Sequence, residues 1–356
     1  MLRIFTILLA TASFLLAETP GAKPTFTVGW SVYAGWTPYH YLMQSGIMRK
    51  WADKYGITIK VQRFDYAPSL DAFVAKNIDA CTMTNMEALD MPAASGVPTT
   101  AIIIGDYSNG NDALLVRNGL QMKDLPGKKL LLVQKTVSEY LLDRALTMNG
   151  MRDQIKQVRL INTSDSDIAT AFLSDTSAAA TVTWKPMVSQ IVKQKGITSL
   201  FNSSQIPGEI LDLTVVRTDI LNRPDGSGQR FAKALAGAWY EMMARMSMQG
   251  PEGDKVLTAI AGGSQDTLAS YKEQLSTTKL FYTPQSALAF GASGTLKEKM
   301  ALVRQFCFDH GLLGSNTKSV DEVAIAYPDG TVQGKPDRIR LRYDLSYMKM
   351  AAEGKL

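Results

Sequence analysis

Residues 57–105 read ITIKVQRFDYAPSLDAFVAKNIDACTMTNMEALDMPAASGVPTTAIIIG, and their rhythm decides the fold class. Ile57, Ile59 and Val61 alternate with polar neighbours up to Phe64, the period of a half-buried strand. Ser69–Lys76 sets Leu70, Phe73 and Val74 on one side of a short helix. Ile78–Met83 predicts a second strand and Asn85–Ala94 a second helix. The unbroken apolar run Thr100–Gly105 predicts a buried strand. Strand and helix alternating at this spacing point to a mainly parallel sheet with helices on both faces, an α/β architecture.

The pattern extends both ways. Upstream, Thr25–Trp30 predicts a strand, and His40–Tyr55 a helix closed by Gly56 as a left-handed cap. Downstream the rhythm restarts, with strands at Ala113–Val116, Lys129–Val133, Val158–Ile161, Ala178–Trp184 and Leu213–Arg217. Helices fall between them at Ser138–Asn149, Asp165–Ser174 and Pro186–Lys195. From about Arg230 the chain turns chiefly helical, and Asp329-Gly330 marks a hairpin turn between Val323–Tyr327 and Thr331-Val332. Two α/β lobes of this size leave a crevice between them, and ligands in such sheets bind beyond the carboxyl ends of the strands.

The 356 residues suffice for about two domains. Residues 1–17 carry Arg3 and the apolar run Ile4–Leu16, the signature of a signal peptide with cleavage after Ala17 or Ala22. No cysteine follows to take a lipid, so the expected product is soluble and periplasmic. Removing the leader takes one Arg and no acid from a net charge of +5. Lys and Arg interleave with acids, a solvated surface rather than a nucleic-acid interface. The chain has two Cys, at 81 and 307, and two His, at 40 and 310. That predicts buried free thiols, no zinc or other metal centre and no cofactor. The methionines at 242, 243, 246 and 248 lie at helical spacing and fill core.

Just after the first strand, Phe26–Tyr39 reads Phe-Thr-Val-Gly-Trp-Ser-Val-Tyr-Ala-Gly-Trp-Thr-Pro-Tyr. Tyr33 and Trp36 are candidates to stack on a small flat or cationic ligand, with Trp184 closing from the opposite lobe. Trp30 and Tyr39 are read as packing residues. The segments near predicted strand ends and crossings are acidic: Glu87, Asp106, Asp112, Glu139, Glu209 and Asp212. Carboxylates repel an anion and match a planar cation rich in N–H donors. Asn85 and Glu87 open a helix after a strand, where a ligand contact and a helix cap look alike. Ser138 and Glu139 do the same in the second half. Asp106 falls in a turn-rich segment.

Several phrases together resemble the periplasmic substrate-binding proteins of ABC importers, in the branch serving nitrate, taurine and alkanesulfonates. They are the aromatic loop, Asp79-Ala-Cys-Thr-Met-Thr-Asn85, and Leu125-Pro-Gly-Lys-Lys129. Longer phrases are similar to a subfamily encoded beside urea carboxylase and allophanate hydrolase, which carries urea or a precursor such as guanidine. These are Val28–Trp36, Thr82–Leu89, Gly105–Asp112 and Ser203–Asp212. The chain departs from that pattern at Glu87, where the subfamily has Asp.

The resemblance implies the type II periplasmic-binding-protein fold, crossed twice, with hinges near Asp106–Asp112 and Asp212–Arg217. Lobe one would be 25–110 plus 216–356, and lobe two 111–215. It implies a monomeric receptor that carries guanidine, or urea, to an inner-membrane ABC permease. The ligand contacts would be Tyr33, Trp36, Asn85, Glu87, Asp106, Ser138, Glu139 and Trp184. Two alternatives stand beside it. One is a same-fold receptor for sulfonate, nitrate or bicarbonate. The other is a thiamine-pyrimidine synthase-like enzyme, which would need a reactive histidine such as His40 at the cleft.

Overall fold

The structure, a computed structural model, describes residues 23–356. The stretch read as a signal peptide lies outside the described residues. The strands are β1 (Thr25–Trp30), β2 (Thr58–Arg63), β3 (Ala80–Thr84), β4 (Thr99–Ser108), β5 (Ala113–Arg117), β6 (Lys129–Leu132) and β7 (Arg159–Asn162). They continue with β8 (Ala180–Thr183), β9 (Ile197–Asn202), β10 (Leu211–Arg217), β11 (Thr278–Leu280), β12 (Ala324–Ala326), β13 (Val332–Gln333) and β14 (Ile339–Tyr343).

They build two sheets. The larger runs β13-β12-β14-β4-β10-β3-β1-β2, with β11 also paired to β4; the smaller runs β7-β6-β8-β5-β9. Every strand of the smaller sheet comes from the chain between β4 and β10, so the chain leaves the large sheet after β4 and returns at β10. The second crossing, expected at Asp212–Arg217, therefore precedes that segment, which is the buried strand β10 itself.

Both sheets are mixed rather than mainly parallel. β1 is parallel to β2 and β3, and β6 to β7 and β8. β10, however, is antiparallel to β3 and β4, and β5 is antiparallel to β8 and β9. A parallel neighbour needs a crossover helix to carry the chain back to the same end. β10 arrives from the other sheet without one and enters from the opposite end. The hairpin read at Asp329-Gly330 pairs Ile325 with Gln333 and Ala326 with Val332.

The helices differ from expectation in one instructive place. The stretch 40–55 forms two helices, α1 (Pro38–Gln44) and α2 (Ile47–Lys54). Gly46 between them takes φ +77°, which only glycine adopts at no cost. α3 (Tyr66–Val74) starts earlier than its apolar face announced. In 85–94 the last residues, Leu89–Ala93, form a widened π-helical turn that holds Pro92. α4 (Val137–Met148) opens the second lobe after β6 and takes Thr136 as its N-cap. Ser227–Met246 is a long helix that buries Met242, Met243 and Met246, as its spacing suggested, but Met248 falls past its end and is exposed rather than core. Helices Pro284–Gly291 and Ser346–Ala352 carried too little periodicity to be read in advance.

All residues of β3 and β10 are buried, and so is nearly all of β4. At one edge of this core lie Thr84 (end of β3), Asp106 (near the end of β4), Asp212 (start of β10) and the loop following β1. The second lobe presents to that edge the end of β8 and the start of α4. Cys81 and Cys307 are free and buried.

Candidate ligand-binding site

The loop after β1 is wound tightly on itself. The Tyr33 carbonyl accepts from Trp36 N (2.9 Å), Thr37 N (2.9 Å) and the Thr37 hydroxyl (2.8 Å). This turn throws Tyr33 and Trp36 together, centroids 5.0 Å apart at 60°. Trp36 then meets Tyr66 at 5.3 Å, and Tyr66 meets Trp184 edge-on at 5.7 Å and 78°. Four aromatic side chains from three segments thus form one wall, all within the range where ring quadrupoles attract. Gly35 is required at its position: a Cβ there would fall 2.1 Å from Asp106 Oδ2.

Both lobes meet over this wall. Trp184 Nε1 donates to the Val32 carbonyl at 3.1 Å. The Asp165 carboxylate accepts from Tyr66 N at 3.2 Å. Between the lobes is a small cavity bounded by Tyr33, Trp36, Tyr66 and Trp184, with Thr84, Asp112, Val137, Ile210 and Asp212 completing it. Its space for the centre of a water molecule is about 10 Å³, near the minimum that holds one water. No Lys, Arg or His lines it.

Its polar character is acidic. Asp106, Asp112 and Asp212 are all buried. Tyr33 OH donates to Asp106 Oδ1 at 2.9 Å, and Ser108 Oγ to Asp112 Oδ2 at 2.5 Å. Burial pushes the Asp106 and Asp112 carboxyls up to about 7. Asp212 is raised well above the usual carboxylate range, first by burial and then by the charge of Asp106. Desolvation disfavours the ionised form, and here no neighbouring cation offsets it.

The expected contacts separate into three groups. Tyr33, Trp36 and Trp184 line the cavity. Asp106 and Glu87 are buried just behind it. Asp106 supports Tyr33. Glu87 accepts from the Thr84 hydroxyl and, across the lobes, from Val137 N at 2.7 Å. Asn85, Ser138 and Glu139 do not reach the cavity. The Asn85 amide is used up bracing the return crossing, donating to Glu209 O and accepting from Leu211 N, both at 3.0 Å. Ser138 is buried in the first turn of α4, where Thr136 provides the cap. Glu139 accepts from Lys135 N at 2.9 Å and faces His310.

Sequence reasoning passed over Tyr66, Thr84, Val137 and Ile210. Tyr66 had a signal, since it follows β2 as Tyr33 follows β1. Thr84 and Ile210 sit beside residues that drew attention for their charge. His40 packs against Trp30 (6.2 Å between ring centroids) and Gly263, in a different surface pocket.

Residues 114–245 match the family model described as NMT1/THI5 like, which is less than half of the chain. Among solved structures the chain is similar to the alkanesulfonate-binding protein SsuA from Xanthomonas axonopodis pv. citri bound to MOPS. The two share 14% identity over 82% of this chain and 96% of that one, with a TM-score of 0.67. It is also similar to the periplasmic aliphatic sulphonate-binding protein SsuA from Escherichia coli, at 16% identity over 82% and 94% and a TM-score of 0.63. The periplasmic nitrate-binding protein NrtA from Synechocystis PCC 6803 matches at 11% identity over 92% and 98%, TM-score 0.57. No curated protein sequence matches the chain. The fold is the two-lobed periplasmic-binding-protein fold. Among the described residues, no helix is long and apolar enough to cross a membrane.

Proposed function

We propose that the protein is a periplasmic solute receptor of an ABC importer, and that it closes two lobes on a small planar nitrogen-rich cation of the guanidinium type. Residues 1–17 are its export signal. Residues 25–110 with the chain from β10 (Leu211) onward form one lobe, and the chain between forms the other, so the lobe boundary expected at 215 moves back to the start of β10. The closed monomer hands its solute to an inner-membrane permease. The observation that carries this reading is a cavity walled by Tyr33, Trp36, Tyr66 and Trp184, backed by Asp106, Asp112 and Asp212, and lined by no basic side chain. A guanidinium group pairs with carboxylates through charge-assisted hydrogen bonds worth about 1.5–3 kcal/mol each. Stacked on a desolvated ring, it gains on the order of 2 kcal/mol more. The cavity as it stands has room for about one water, so guanidinium enters only as the two lobes part.

Two other ligand classes have something in their favour. Trp36 Nε1 is a buried donor with no acceptor in the protein, and a urea carbonyl would meet it where guanidinium would not. The solved relatives named for sulfonate and nitrate favour a small anion. An anion in this cavity would face three buried carboxyl groups at the cost of like-charge repulsion. The enzyme reading loses its histidine, because His40 lies in another pocket.

A thermal-shift panel of guanidinium, urea, taurine and nitrate, each at non-denaturing concentration, tests the ligand class. A ligand that binds only the folded state raises the midpoint, by an amount that grows with the logarithm of its concentration above the dissociation constant. The reading requires stabilisation by guanidinium. Stabilisation by taurine or nitrate alone would return the protein to the anion receptors.

A further inference from the structure

β4 and β10 are neighbours in the large sheet, and their register places Asp106 directly opposite Asp212, next to a bulge between Asp212 and Leu213. Like charges facing each other across a strand pair destabilise it. Here both are buried, and side chains directly opposite each other on an antiparallel pair lie on one face within reach of each other. Neither Asp106 Oδ2 nor Asp212 Oδ2 has a hydrogen-bond partner in the protein. Two buried carboxylates side by side cannot both stay ionised without a cation between them, so the pair calls for one proton.

The surroundings supply no cation that would remove the need for it. Tyr33 faces the pair from the loop after β1 and donates to Asp106. Asp112 faces it from the crossing that follows β4 and adds negative charge to Asp212. Tyr271 and Tyr282 approach Asp106 from the chain beyond the long helix. Glu87 acts on Asp112 from the end of β3.

From this geometry, we infer that Asp106 and Asp212 share one proton in the unliganded site and surrender it when a cation enters. The inference rests on the cation reading above and deepens it, because it makes this pair the device that separates guanidinium from urea. A cation replaces the proton with its own charge, and the proton leaves to solvent. A neutral ligand offers no such exchange, so the proton stays. Guanidinium affinity is then coupled to pH, and acid conditions eject the ligand.

The test has two parts. Guanidinium is titrated calorimetrically near pH 7 in phosphate and in Tris, whose ionisation enthalpies differ. About one proton should be released per ligand bound, and affinity should fall by up to about tenfold per pH unit below pH 7, the limit for one proton in linkage. Asp212→Asn should release about one proton fewer than the unaltered protein. Equal heats in both buffers, with affinity flat from pH 5.5 to 8, would overturn the exchange while leaving guanidinium as the ligand. No guanidinium binding at all would overturn both. Infrared difference spectroscopy checks the shared proton without any ligand. The ligand-free protein at pH 7 should show a buried protonated-carboxyl band that Asp212→Asn removes, and absence of that band would sink the inference.

Discussion

Asp212 and Asp106 stand opposite each other at the cavity edge, and each affects ligand and stability in opposite directions. A buried carboxyl raised to about 7, as at Asp106 and Asp112, binds protons more tightly folded than unfolded, where its value is near 3.9. The stability such a group adds is fully present below pH ~4 and is lost as pH rises through about 7. Midpoints of the ligand-free protein should therefore decline from pH 5 to pH 8, and Asp112→Asn should flatten that decline in a pH series of thermal melts. Asp212→Asn, whose carboxyl lines the cavity, should weaken guanidinium binding by about one to two decades, the worth of one charge-assisted hydrogen bond at 1.5–3 kcal/mol. Gly35→Ala should also weaken binding with little loss of secondary structure, because its Cβ pushes the Asp106 carboxylate away from Tyr33. Fluorescence titration of that variant checks it. At this scale the sequence was half legible. Tyr33, Trp36 and Trp184 announced themselves as rings just past strands. Asn85, Ser138 and Glu139 did not separate, because a polar residue at a helix start looks the same whether it caps, braces or binds. What distinguishes them is a distant partner, such as Leu211 for Asn85 and His310 for Glu139.

Among the elements, the return crossing is held by one buried carboxylate. Glu209 accepts from Tyr140 OH (2.6 Å) and from Arg144 Nε (2.7 Å) and a second guanidinium nitrogen (3.2 Å), with Lys299 at 3.5 Å. This ties α4 to the segment that leads into β10. Removing the guanidinium leaves a buried charge short of donors. Arg144→Ala should cost about 1.5–3 kcal/mol, read by thermal unfolding, since guanidinium denaturation would add ligand. Most strands and the hairpin were legible because their apolar runs were short and bounded by turn residues; β9, β11 and β14 were not, because polar residues interrupt each of them. The orientation of β10 was not, because Leu213–Arg217 reads alike in either direction. Nor was the break between α1 and α2, where one apolar face continues through Ser45-Gly46.

On the scale of the whole molecule, the two lobes touch through Trp184 and Val32, Tyr66 and Asp165, and Glu87 and Val137. These three carry groups that border or back the cavity, while Lys185–Glu273 and Arg152–Asp309 join the lobes outside its lining, so closure completes the site as it brings the wider faces together. The two-lobed fold could be read in advance from the repeated strand–helix rhythm. The ligand could not, because relatives of this fold with sulfonate- and nitrate-binding names share only 11–16% identity with it. In the proposed reading, the acidic lining is what favours a cation over the anions those relatives are named for. The most direct measurement is isothermal titration calorimetry of the purified protein with guanidinium and, in parallel, with taurine, at pH 8 and below denaturing concentration. The account predicts saturable one-site binding of guanidinium, lost in Trp36→Ala, and no heat of binding from taurine. Saturable binding of taurine with none of guanidinium would contradict it.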